Sequence, residues 1–147
     1  MKNNDEPVIV EQIFNVSIGK VWNAITELDQ MKKWFFENIA SFRPEVGFET
    51  RFEVQNEDRK FPHIWKLTEV IPMKRITYNW KYGGYPGDSF VTFELFEKDH
   101  HTKLKLTHKV VESFPQDIPE FERESCIEGW NYFIRKNLKK YLEESVN

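Results

Sequence analysis

Cysteine is nearly absent. Cys126 stands alone among 147 residues, so the chain cannot build an internal disulfide framework. That usage fits a reducing compartment. Long apolar runs are missing too, and none approaches the roughly 18–20 residues that cross a bilayer. The opening segment Met1–Pro7 has no apolar signal core. These absences predict a cytoplasmic protein without membrane association. Positive charge is not in excess: Lys and Arg number 21 against 24 Asp and Glu, a net charge of −3. Such a chain has no general pull toward phosphate backbones, which argues against a nucleic-acid partner. Glycine and proline are sparse and fall at turn-like intervals. With no repeat or linker, one domain over residues 1–147 is expected, with residues 1–7 as a flexible tail.

Aromatics are abundant, at 16% of the chain, including 13 Phe and 5 Trp. Disordered chains lack such content, so the rings must fill a core, a cavity or a binding surface. Val8 to Val16 reads as a β-branched strand. Ser17 is a candidate N-cap for a helix carrying Val21, Trp22, Ile25 and Leu28 at helical spacing. Asp29 opens a second short helix with Met31, Trp34 and Phe35. Ala40 to Arg43 reads as a short strand.

From Phe48 to Val111 the period is close to two. Phe48, Thr50, Phe52 and Val54 share one face. Ile64–Ile71 forms another run, followed by Ile76, Tyr78, Trp80 and Tyr82, then Val91, Phe93 and Leu95, then Leu104, Leu106, His108 and Val110. Such alternation predicts an antiparallel meander with one solvated face. Gly83-Gly84-Tyr85-Pro86-Gly87-Asp88 is the strongest turn signal. Ile127, Trp130, Ile134, Leu138, Tyr141 and Leu142 then recur at steps of three or four. Asp117 and Ser125 each begin a capping-box spacing, so a long helix starts at one of them. An α+β fold follows: a curved antiparallel sheet wrapped on a long C-terminal helix, with aromatics facing the space between.

Four stretches carry a family resemblance: Val21–Thr26 with Trp34-Phe35, Glu69–Pro72 with Arg75–Trp80, Thr102–His108, and Gly129-Trp130 with Leu138–Glu143. In this order they resemble the activator of heat-shock-protein-90 ATPase homologue family. That family lies within the START-like (SRPBCC, helix-grip) superfamily. The resemblance implies a seven-stranded sheet, two short helices after the first strand, and a hydrophobic cavity. It also implies a chaperone as one kind of partner.

The candidate cavity residues are Trp34, Phe52, Trp65, Tyr78, Trp80, Phe93, Leu106, His108, Trp130 and Ile134. For each ring the competing role is core packing, since one aromatic buries about 150–250 Å². His108, on an apolar strand face, either orients a ligand or is satisfied by neighbours, and the second is favoured. Glu69 and Arg75 read as a charge pair. Cys126 reads as structural. His63, His100, His101 and His108 show no metal-ligand spacing, and no phosphate loop or nucleophile motif occurs. Catalytic residues, metal and cofactor are therefore all expected to be none. The leading function is binding of a small hydrophobic or amphipathic molecule. A chaperone-associated interaction module comes next, and a cyclase- or hydrolase-type enzyme last. A monomer or homodimer is expected.

Overall fold

The structure is a computed structural model that describes residues 1–144. Strand β1 (Val8–Phe14) leads into helices α1 (Ile18–Thr26) and α2 (Leu28–Trp34). The Ser17 side chain accepts a hydrogen bond from Lys20 N at the start of α1, satisfying one of the orphan N–H groups of the first turn. Five strands follow: β2 (Glu49–Asn56), β3 (Arg59–Ile71), β4 (Arg75–Tyr82), β5 (Asp88–Lys98) and β6 (His101–Glu112). They form one antiparallel sheet in the order β1-β6-β5-β4-β3-β2.

Among the described residues the sheet has six strands rather than seven. The Ala40–Arg43 segment expected as a strand joins no ladder. Phe42 anchors it instead, buried with its ring 5.7 Å from Tyr78. Side-chain burial rather than backbone pairing holds this segment.

After a 3₁₀ turn (Pro119–Phe121), a continuous helix runs through α3 (Arg123–Trp130), a π-helical segment (Asn131–Leu138) and α4 (Lys139–Glu144). It starts between the two capping-box signals, with Glu122 at the N-cap, and uses neither. Pro119 lies in the preceding turn, and Ser125 donates to the Pro119 carbonyl instead of capping a helix. The π-helical turns, uncommon in general and frequent at functional sites, pack against β1 and α2. None of the described helices is long and apolar enough to cross a membrane.

The inward faces of the strands and the helix share one core, with a smaller cluster around Phe61, Phe114 and Phe121. Met1 belongs to that second cluster. It is 7% exposed, its carbonyl accepts from Phe114 N and its ammonium donates to Phe121 O. The first residues are therefore docked, where the sequence reading expects a flexible tail. Arg75 donates to Glu69 at 2.6 Å beside the β3–β4 turn, as a charge pair.

Among the described residues three buried polar atoms in the core have no partner: Trp65 Nε1, Tyr78 Oη and Trp80 Nε1. A buried unsatisfied group costs about 1–3 kcal/mol. Burial also pushes the Tyr78 hydroxyl's ionisation far above its ordinary range. Tyr78→Phe is therefore expected to stabilise the domain by about 1 kcal/mol. The urea midpoint checks this, and a lower midpoint would show that the hydroxyl finds a partner.

Candidate functional site

Strands β3, β4 and β6 present His63, Trp80, Tyr82 and His108 to the helix, and α3 answers with Cys126, Gly129 and Trp130. Phe36 and Phe133 close the sides. Between them lies a mostly apolar cavity of about 130 Å³. Glu120, Ser125, Gly129 and Phe133 line both this cavity and an open surface groove, so they form its mouth. Arg59 holds Glu120 there at 2.8 Å, and Asn56 donates to the same carboxylate.

Of the ten candidates from sequence, Trp80, His108 and Trp130 line the cavity. The others sit in the packed core. Trp34, Trp65, Tyr78, Phe93, Leu106 and Ile134 are at most 1% exposed, and Phe52 packs edge-on against Trp65 at 4.7 Å. Trp34 Nε1 donates to the Ala24 carbonyl, tying α2 to α1.

His108 is committed to the protein. Ser89 Oγ donates to the Trp80 carbonyl at 2.8 Å, so it accepts from His108 Nε2 at 2.9 Å. The indole of Trp130 can only donate, and it does so to His108 Nδ1 at 3.0 Å. The imidazole is therefore neutral with its proton on Nε2. Burial, then the Met1 ammonium, push its pKa down to about 3. Cys126 Sγ lies 3.4 Å from the same Nδ1. Burial pushes the thiol up to about 12. Thiol and imidazole thus both stay neutral, unlike the thiolate–imidazolium pair a cysteine nucleophile needs.

Sequence reasoning missed His63, Tyr82, Cys126 and Gly129 as cavity residues. Strand parity carried the signal for two of them: His63 alternates with Phe61, Trp65 and Leu67, and Tyr82 continues Tyr78 and Trp80. Gly129 left no such trace. It lies inside α3, and a Cβ built there meets nothing within 4 Å. Among the described residues no cluster of three His, Cys, Asp or Glu side chains is placed to hold a metal ion.

Solved structures share this architecture. CV1439 from Chromobacterium violaceum is 20% identical, with 93% of this chain and 96% of that chain covered, at a TM-score of 0.77. The Aha1 dimer from Colwellia psychrerythraea is 22% identical, covering 95% and 97%, at 0.72. DynU16, from the dynemicin biosynthetic locus, is 22% identical at 0.74, and this chain spans 48% of its length. At these identities the likeness is one of fold. No curated protein matches the sequence. The family model described as Activator of Hsp90 ATPase homolog 1-like protein matches residues 15–143. On that match, which takes in both opening helices, the whole meander and the closing helix, the chain belongs to the Activator of Hsp90 ATPase homolog 1-like family.

Proposed function

We propose that this domain binds a small, compact, mostly apolar molecule between the sheet and the C-terminal helix. One observation carries the reading: the wall of an aromatic-lined cavity with an open mouth contains a mid-helix glycine at which an added Cβ would meet no atom within 4 Å. A glycine inside a helix costs roughly 0.5–1 kcal/mol relative to alanine. Gly129 has no packing contact that requires it, so the space it leaves open is its evident use. The size of that space limits the ligand. Drug-sized ligands fill roughly 300–1,000 Å³, while an apolar cavity of about 150 Å³ takes benzene. At about 130 Å³ this cavity suits one ring.

The test is a titration with toluene, read by the fluorescence of Trp80 and Trp130, in the native protein and in Gly129→Leu. The native protein is expected to show a saturable change, and Gly129→Leu to lose it while remaining folded. Gly129→Ala is expected to gain about 0.5–1 kcal/mol of stability. If no saturable change appears in the native protein, the binding reading is wrong.

Family membership favours a second reading, a chaperone-associated interaction module. Its test is a pulldown with the heat-shock-protein-90 homologue of the same cell, followed by an ATPase assay. Capture with stimulation supports it, and neither capture nor stimulation removes it.

A further inference from the structure

The polar groups left over in the cavity wall define what a ligand must bring, given the binding reading above. His63 is 5% exposed and lines the cavity. Its Nδ1 lies 2.8 Å from the Phe61 carbonyl, which can only accept, so the ring proton sits on Nδ1. Burial holds the imidazole neutral, with a pKa near 4. Nε2 is thus a lone-pair acceptor, and among the described residues no donor reaches it.

Tyr82 is the register partner of His63 across β3 and β4, its ring edge-on at 4.9 Å between centroids. Tyr82 lines the same cavity, and its hydroxyl donates to no acceptor among the described residues. Burial keeps that hydroxyl protonated. The buried Trp80 indole N–H approaches it without closing a hydrogen bond. The paired residues His63 and Tyr82 therefore bring an unused acceptor and an unused donor to the same cavity lining, both neutral.

A ligand group that both donates and accepts satisfies the pair. A carboxylate accepts only, so it leaves the His63 lone pair without a donor and sets a negative charge against it. A plain hydrocarbon leaves both groups unpaired. A ring hydroxyl does both tasks, and the size of the cavity admits one ring. We infer that the cavity takes a neutral one-ring phenol, whose hydroxyl donates to His63 Nε2 and accepts from the Tyr82 hydroxyl. Its ring would lie against Trp80, Trp130 and Phe133.

The experiment titrates phenol, toluene and benzoate at pH 7 into the native protein and Tyr82→Phe, read by tryptophan fluorescence. The ¹⁵N signal of His63 Nε2 is followed in parallel. Phenol is expected to bind about ten-fold tighter than toluene or benzoate, the ratio that about 1.4 kcal/mol supplies. Tyr82→Phe, which keeps the ring, is expected to remove most of that preference and leave toluene unchanged. His63 Nε2 should shift upfield with phenol and not with toluene. Equal binding of phenol and toluene, or tighter binding of benzoate, overturns the phenol assignment while the cavity reading stands. A phenol preference that survives Tyr82→Phe with His63 Nε2 unmoved also overturns it. Binding of none of the three overturns both.

Discussion

Acidification from pH 7 to pH 4 is expected to remove roughly 3–6 kcal/mol of stability, through His63 and His108. In the unfolded chain each takes a proton near 6.5. In the fold, burial holds His63 at about 4 against the raising effect of the Phe61 carbonyl, and it holds His108 at about 3. Between 6.5 and those values the unfolded state binds more protons than the folded one. Stability therefore rises with pH across this window and is lost as pH falls, by about 1.4 kcal/mol per unit for each histidine. The groups facing them are Cys126, Tyr82, the Met1 ammonium and, at the mouth, Glu120. The paired carboxylates of Glu11, Glu69 and Glu143, held low by Lys103, Arg75 and Lys139, act in the same direction only below about 4.5. The upper part of the window thus belongs to the histidines. Urea unfolding at pH 7, 6, 5 and 4.5 measures the slope. His63→Phe should roughly halve it, since the ring already stacks on Phe52 at 5.0 Å. A stability that stays flat from pH 7 to 4.5 would mean that the two imidazoles protonate without unfolding the site.

Gly87→Ala is the substitution expected to damage the fold most. Its backbone has φ +122, a region that side chains rarely adopt. An added Cβ would sit 2.2 Å from Phe114 Cδ1. Phe114 cannot step aside cheaply: it is 2% exposed and wedged between Tyr82 and Phe121 at 5.5 and 5.4 Å. Backbone strain of about 1–3 kcal/mol adds to overpacking of about 1–3 kcal/mol, so a loss of about 3 kcal/mol or more follows. Gly84→Ala provides the comparison. It has φ +83 but open space around it, so only strain of about 1–2 kcal/mol is expected. Denaturant midpoints of the two variants separate strain from clash. Equal losses would show that Phe114 yields, and that the β4–β5 loop packs more loosely than its contacts suggest.

The sheet was legible because alternation is a local property. In β4, Ile76, Tyr78 and Trp80 are buried and the residues between them face outward, as their spacing required. The helix after Arg123 was legible from the steps linking Trp130, Ile134, Leu138 and Leu142. Its starting point was not, because two capping-box patterns competed and neither is used: a proline turn occupies the first and the helix opens at Glu122, ahead of the second. The segment at Ala40–Arg43 looked like a strand, yet strand identity needs a ladder partner that no short stretch can announce.

The candidate site divided along the same line. Sequence placed ten side chains on inward faces, but an inward ring meets either another ring or a void. Trp65 meets Trp80, Tyr78 and Phe52. Trp80, one strand over, reaches the cavity as well. His108 and His63 looked alike as strand histidines. The first has both nitrogens taken by Trp130 and Ser89, while among the described residues the second has only Nδ1 engaged, by the Phe61 carbonyl.

The sequence by itself determined the α+β class and the inward faces of the strands, since these follow from periodicity and residue type along the chain, while the family was legible through the resemblance of four stretches. Only the tertiary structure decided where the cavity lies, how small it is and which polar atoms remain unpaired in its wall. Those depend on how closely a helix packs on a sheet and on distances between side chains far apart in sequence. Gly129 illustrates the difference: along the chain it is a weak helix residue, and in the fold it lines the cavity where an added Cβ would meet no atom within 4 Å.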